Sequence, residues 1–271
     1  MRLGIFDSGM GGLLIARSVS AALPNIDLTY LGDTLHLPYG ARSTEAIYSY
    51  TERAIDFLFR EQDCRLIIVA CNTASAAALR KIQQGYLPKH YPDRRVLGVV
   101  VPTLESALEG GHQNIGLIAT NYIIGSDIYK AELQKIDPEI EIHSVATPLL
   151  VSLIENHGEQ WLPSVLESYL SLLKEKQVDS LILGCTHYVS IKDEARQIMG
   201  QHVSIISQDE IIPEKLKDYL ARHPEISGDL TYNGDERFFL TDMTSTYAQA
   251  GRKLYGREIR FQKAVLDTLA S

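Results

Sequence analysis

Long apolar runs are missing from this 271-residue chain. No segment approaches the ~18 consecutive apolar residues of a membrane-spanning helix, and the N-terminus runs into a predicted strand rather than a signal-peptide pattern. Cysteine is scarce: three occur, at positions 64, 71 and 185, with no C-x-x-C pair. That excludes a disulfide scaffold and reads as reduced thiols of a cytoplasmic protein. An excess of positive charge is missing too. Lys and Arg number 26 against 34 acidic residues, a net charge of −8, and no Lys/Arg cluster is longer than Arg94-Arg95. A nucleic-acid footprint needs a basic stripe, so neither nucleic acid nor a membrane is an expected partner. An acidic chain that binds an anion must use local donors, backbone N–H groups and hydroxyls. Nucleotide fingerprints are absent as well. The turn Asp7-Ser8-Gly9-Met10-Gly11-Gly12 is neither G-x-G-x-x-G nor a Walker G-K-[S/T], and Asp7 at its mouth repels phosphate. Its N–H groups could still receive a carboxylate.

What is present is an ordinary globular composition, 45% apolar and 22% charged, in a chain long enough for one large or two modest domains. Two stretches organise it. Leu66-Ile67-Ile68-Val69-Ala70-Cys71-Asn72-Thr73-Ala74-Ser75 is a continuous apolar run, a small residue, a cysteine and a polar triplet. It reads as a strand buried on both faces, a turn, and a helix starting near Asn72 or Thr73. Cys71 then sits at the carboxyl edge of a parallel sheet, where ligands bind, close to a helix N-terminus that favours thiolate. Leu181-Ile182-Leu183-Gly184-Cys185-Thr186-His187-Tyr188 repeats the pattern. One thiol after a strand is ordinarily an inert core residue; two in matching contexts point to function.

The repeat extends further. Gly4-Ile5-Phe6-Asp7 resembles Gly116-Leu117-Ile118-Ala119-Thr120, and Leu31-Gly32-Asp33 resembles Val145-Ala146-Thr147; 64 residues separate Asp7 from Cys71 and 65 separate Thr120 from Cys185. The chain reads as two degenerate copies of one α/β unit. Two copies facing each other would put Cys71 and Cys185 on opposite sides of one cleft.

In chain order, strands are expected at Leu3–Phe6, Leu28–Leu31, Leu66–Ala70 and Val96–Val101, with helices after the glycine-rich turn, from Ser43 or Thr44, and from Ser75 to Gln84. The loop Leu35-His36-Leu37-Pro38-Tyr39-Gly40 is a fixed turn that can bring N–H groups to a ligand, and Leu87–Arg95 reads as a polar connection. The second unit has strands at Asn114–Ala119, Glu141–Val145, Leu181–Leu183 and Val203–Ile206, with a helix over 159–175. Glu155, taken alone, is a solvated helix residue. A helix over Ile212–Arg222, a hairpin-type turn at Tyr232-Asn233-Gly234-Asp235 and short strands at Phe238–Leu240 and Ile259–Phe261 follow. This tail is expected to return to the first unit, giving domains 1–97 plus 208–271 and 98–207. Cys64 reads as structural.

Several chemistries use thiols. Disulfide exchange wants neighbouring cysteines, and cysteine hydrolases want one thiol with a His base. A metal could take Cys185 and His187, but no further ligand has zinc spacing. Inversion of a stereocentre beside a carboxylate fits best. It needs one base on one face, one acid on the other, and an exchange of roles for the reverse direction.

At these residues the chain resembles the glutamate racemase branch of the aspartate/glutamate racemase superfamily. The matching motifs are Asp7–Gly12, Gly32-Asp33-Thr34 with Pro38-Tyr39-Gly40, Cys71–Ser75, Pro148-Leu149-Leu150-Val151 through Glu155, and Gly184–Tyr188, in family order and over almost the whole chain. His187 after Cys-Thr matches the glutamate branch. The resemblance implies a fold of two similar parallel-sheet α/β domains related by pseudo-twofold symmetry, with the active site in the cleft between them. It implies a cofactor-independent racemase that supplies D-glutamate for peptidoglycan and so for cell shape. Cys71 would abstract the α-proton from D-glutamate, assisted by Asp7, and Cys185 from L-glutamate, assisted by His187 and Glu155. Ser8, Asn72, Thr73 and Thr186 would hold the amino and α-carboxylate groups. Tyr39 and Gly40, in the Pro38 turn, and Thr120 would hold the distal carboxylate. No metal is implied, and a homodimer is compatible with the resemblance. The chain departs from the family pattern at Ile123, at Thr147 (often Cys), at Val189-Ser190 (often Pro-Leu) and near Ser207. The alternatives are a racemase or decarboxylase of another small dicarboxylate, or a catalytically weak regulatory protein on the same fold.

Overall fold

Ten parallel strands in two separate sheets carry the chain, in a computed structural model that describes residues 1–156 and 158–266. They are β1 (Arg2–Asp7), β2 (Leu28–Gly32), β3 (Cys64–Val69), β4 (Arg95–Gly98), β5 (Asn114–Ala119), β6 (Glu141–Ala146), β7 (Ser180–Gly184), β8 (Ser204–Ile206), β9 (Glu236–Leu240) and β10 (Phe261–Lys263). The first unit, Met1–Val99 with the chain from Ile212 onward, contains a six-stranded sheet in the order β10-β9-β2-β1-β3-β4. The second, Val100–Ile211, contains a four-stranded sheet in the order β6-β5-β7-β8. Strands β1, β2, β3 and β7 are buried along their whole length. That is what continuous apolar runs do in a sheet covered by helices on both faces. Among the described residues no helix is long and apolar enough to cross a membrane.

The inner order is the same in both units: β2-β1-β3-β4 corresponds to β6-β5-β7-β8. Register fixes the correspondence residue by residue. Phe6 pairs with Val69, two residues before Cys71, and Ile118 pairs with Leu183, two residues before Cys185. Asp33 N–H donates to Asp7 O at 3.0 Å, and Thr147 N–H donates to Ala119 O at 2.9 Å. Cys71 thus matches Cys185, and Asp33 matches Thr147. Asp7, however, matches Ala119 rather than Thr120, and Ser8 matches Thr120. Spacing along the chain cannot detect that one-residue slip, although it turns a side chain to the other face of the strand.

Local boundaries moved for identifiable reasons. The β4 strand stops at Gly98, and a helix already runs over Val100–Glu109, because a proline near a helix start costs no hydrogen bond and Pro102 is in the first turn. The helix after Cys71 spans Asn72–Lys81, passes through a wider π turn at Ile82–Tyr86 and continues over Leu87–His90, where a polar connection was expected. Gly234 takes φ +74° in the turn before β9, with Asn233 N–H and Asp235 N–H on the Asp27 carboxylate at 3.0 and 2.9 Å. That turn is no hairpin, since β9 pairs parallel with β2. The last strand lies two residues later than expected, at Phe261–Lys263.

Candidate active site

In the first unit Cys71 follows β3 and caps the helix Asn72–Lys81: its Sγ accepts from Ala74 N–H at 3.4 Å. The Ser8 hydroxyl lies 3.2 Å from the same sulfur, and Cys71 is buried. Asp7, the last residue of β1, is completely buried. Its Oδ2 accepts from Gly9 N–H and Gly12 N–H, each at 3.1 Å. A buried carboxylate needs such donors, and the glycine-rich turn wraps round to supply them. A Cβ on Gly12 would lie 2.5 Å from Asp7 Cβ, so only glycine fits there. The N–H groups of Gly9 and Gly12, expected from the sequence to be open to an incoming carboxylate, are instead engaged by Asp7. Asn72 and Thr73, in the first turn of the helix, are buried beside Cys71.

The loop after β2 closes on Asp33. This fully buried carboxylate receives the Tyr39 hydroxyl at 2.7 Å, the Thr241 hydroxyl at 2.7 Å and His36 Nδ1 at 2.9 Å. His36 stacks on Tyr50 with ring centroids 4.0 Å apart. Leu37-Pro38 is cis; Pro38 is exposed, Tyr39 buried and Gly40 half-buried. Burial first, then the carboxylates Asp33 and Asp7 and the Cys71 sulfur, push the Tyr39 phenol far above its ordinary range. Burial, Asp7 and Cys71 do the same to Tyr30, whose hydroxyl donates to Gly9 O at 2.7 Å. The sequence reading placed Asp33 in the Gly32-Asp33-Thr34 motif without giving it a role, and it missed Tyr30. For Asp33 a signal existed: it directly follows β2, at the carboxyl edge that also bears Asp7.

In the second unit Cys185 follows β7 with extended backbone (φ −149°, ψ 139°), and a 3-10 segment, Thr186–Ile191, begins after it. Its Sγ lies 3.8 Å from His187 Nδ1, and His187 Nε2 lies 2.9 Å from Glu155 Oε1. Glu155 is thus no free surface residue; it ends the helix Leu150–Glu155 and meets a buried imidazole. Burial alone would lower the affinity of His187 for a proton. Hydrogen bonds to Cys185 and Glu155 outweigh it and raise the imidazole well above 6.5. Thr186 is buried. Thr120 is half-buried and caps the helix Asn121–Ser126, its Oγ1 accepting from Ile123 N–H at 3.3 Å.

Cys64, the first residue of β3, lies at the other end of that strand from Cys71. Its thiol is fully buried, and burial pushes it up to about 12. Among the described residues no group of three or more His, Cys, Asp or Glu side chains is arranged to hold a metal ion.

Residues 14–209 match the Asp/Glu/Hydantoin racemase family. The chain belongs to this family. A glutamate racemase from Roseobacter denitrificans is 34% identical over 97% of this chain and 100% of its own length. The structure is similar to that of a glutamate racemase isoform from Bacillus anthracis (TM-score 0.88, 31% identity, 98% of this chain and 97% of that one). It is also similar to the Francisella tularensis glutamate racemase solved in complex with D-glutamate (TM-score 0.87, 31% identity, 98% of each chain). The chain is therefore an amino-acid racemase, an isomerase. In this racemase the two strand-end thiols share a register position, and each has polar side chains within reach of its sulfur.

Proposed function

We propose that the chain interconverts L- and D-glutamate without a cofactor, using Cys71 and Cys185 as the two bases. The observation that carries the reading is the pairing of the thiols. Each stands two residues past a register-equivalent strand residue, at the carboxyl edge where parallel sheets bind ligands. The decarboxylase alternative needs one thiol; a racemase that works in both directions needs two.

For D-glutamate, the Cys71 thiolate takes the α-proton: the Cα–H bond breaks, an S–H bond forms, and the electron pair moves toward the α-carboxylate. The Cys185 thiol then gives its proton to the opposite face of the α-carbon. For L-glutamate the roles reverse. Asp7 assists at Cys71; His187, held by Glu155, assists at Cys185 as a proton donor and acceptor. Ser8, Asn72, Thr73 and Thr186 hold the amino and α-carboxylate groups. Tyr39, Gly40 and Thr120 hold the distal carboxylate. Neutral hydroxyl and amide donors suit this task in an acidic chain, because their dipoles stabilise the developing negative charge without a net positive field. D-glutamate made this way serves peptidoglycan synthesis in the cytoplasm.

The test is circular dichroism of separate L- and D-glutamate solutions incubated with enzyme dialysed against chelator, with no cofactor added, and with aspartate as comparator. Both glutamate solutions should converge to the racemate, and kcat/KM should favour glutamate on the order of 10²-fold or more, because a site built from hydrogen bonds rejects misplaced polar groups. Activity that returns only with added metal overturns the cofactor-free reading. Equal turnover of aspartate overturns the assigned substrate.

A further inference from the structure

The structure carries one connection that neither the family motifs nor the proposed proton transfers use. Thr147, at a position where the family often has cysteine, is completely buried, as is Tyr188. The Thr147 hydroxyl donates to Ala119 O at 3.0 Å. It has one proton, so Tyr188 O–H donates to Thr147 Oγ1 in the 2.6 Å contact between them, with Thr147 O a second acceptor at 3.2 Å. Thr147 O also receives Leu150 N–H at 3.2 Å. Thr147 is thereby bonded to the end of β5, to the start of the helix that ends in Glu155, and to the residue after His187.

Both elements so joined are short. The helix Leu150–Glu155 has six residues and the 3-10 segment Thr186–Ile191 has six. A six-residue helix does not hold its shape alone in water, and 3-10 runs beyond three or four residues are uncommon. Tyr188 shares its buried cluster with Leu150, Leu162 and Leu166, whose unbranched-at-Cβ side chains can repack, so packing alone is a loose guide here. The directional bond sets how the two elements meet. Their meeting point at the far end is the 2.9 Å contact between His187 Nε2 and Glu155 Oε1.

We propose that the Thr147–Tyr188 hydrogen bond is a positioning device for the Cys185 side of the reaction, holding the Glu155 helix against the His187 turn. It rests on the reading of Cys185 as the base for L-glutamate. Both are positioning residues, acting through His187 and Glu155; the Tyr188 phenol also lies in the field of the Cys185 sulfur. In the first unit the register-equivalent of Thr147 is Asp33, which likewise accepts a buried tyrosine hydroxyl, that of Tyr39. The same place in the repeated unit tethers a tyrosine in both copies, with different chemistry.

The experiment uses a glutamate analogue bearing chlorine on the β-carbon. Abstraction of the α-proton expels chloride, so elimination reports one base at a time, according to enantiomer. Thr147→Val keeps the shape and loses the hydroxyl; Tyr188→Phe keeps the ring and loses the O–H. Each should slow elimination from the L-analogue roughly 10- to 100-fold, the cost of a displacement of about 1 Å in a catalytic arrangement. The D-analogue should be turned over at nearly the native rate, and Thr147→Ser, which keeps the hydroxyl, should recover most of the loss. Equal loss on both enantiomers would mean a general structural role, and an unchanged L-rate would mean no role; either overturns the proposal. Cys185→Ala separates the two levels. If it still eliminates from the L-analogue at the native rate, the reading of Cys185 itself fails and the positioning proposal falls with it.

Discussion

The surroundings of Cys71 and Cys185 differ far more than their positions do. Both thiols stand at the same register in sheets of the same inner order. Cys71 caps a ten-residue helix, touches a hydroxyl, and follows a strand whose neighbour ends in a carboxylate tied to two backbone N–H groups. Cys185 caps nothing, leads into a 3-10 turn, and faces an imidazole backed by a carboxylate. Sheet hydrogen bonds hold the backbone of the repeated unit, so position persists while the side chains diverge. Two bases working on opposite faces need matching places and proton affinities suited to the task; they do not need matching neighbours. In the proposed mechanism one is supported by a helix start and Asp7, the other by the Glu155–His187 pair.

The largest effect should come from removing those unlike partners. Asp7→Asn keeps an acceptor for the Gly9 and Gly12 N–H groups but removes the charge; His187→Gln removes the imidazole. Each should lower racemisation about 10²-fold, the low end for positioned acid–base groups, with mirrored defects: Asp7→Asn on proton abstraction from D-glutamate, His187→Gln on abstraction from L-glutamate. Initial rates of α-hydrogen exchange with deuterated water, measured for each enantiomer, read this out. The same enantiomer affected in both variants would break the comparison.

A smaller effect is pH-dependent. His187 is held well above its ordinary value in the folded state by Cys185 and Glu155, against the burial that opposes it. The folded protein therefore binds that proton more tightly than the unfolded chain. The resulting stability is full below about pH 6.5, the unfolded value for histidine, and is lost as pH rises through the folded value. The difference in unfolding free energy between the native chain and His187→Gln, from denaturant titrations across this range, should shrink as pH rises. A difference that grows with pH contradicts the assigned charge state.

The smallest catalytic effect should be at Cys64. With its thiol buried and raised to about 12, Cys64→Ala should leave racemisation within about twofold of native and cost about 1–2 kcal/mol of stability for the lost contact and the small cavity. A large activity loss in a fully folded variant would add a third thiol to the chemistry.

The sequence carried the central strands, the helix cap at Ser43 and the two cysteine turns, because buried parallel strands and helix starts are written in local patterns. The pairing of Asp7 with Ala119 was not legible, since chain spacing has no access to sheet register. Nor was the helical run from Gly85 to His90, where Pro88 reads as a breaker but stands in the first turn of its segment. The Glu155–His187 contact joins residues 32 apart, and Asp33 meets Thr241 across 208. Such bonds between distant elements leave no period. The family motifs brought Glu155 and His187 forward together; they also contain Asp33 and Tyr188, but the bonds of these two residues to Tyr39, Thr241 and Thr147 show only in the fold.

The most direct test is elimination from the two enantiomers of the β-chloro analogue by Cys71→Ala and Cys185→Ala. One thiol per face predicts that Cys71→Ala acts on the L-analogue alone and Cys185→Ala on the D-analogue alone, while both lose racemisation. Two variants that favour the same enantiomer, or either one racemising at the native rate, would contradict it.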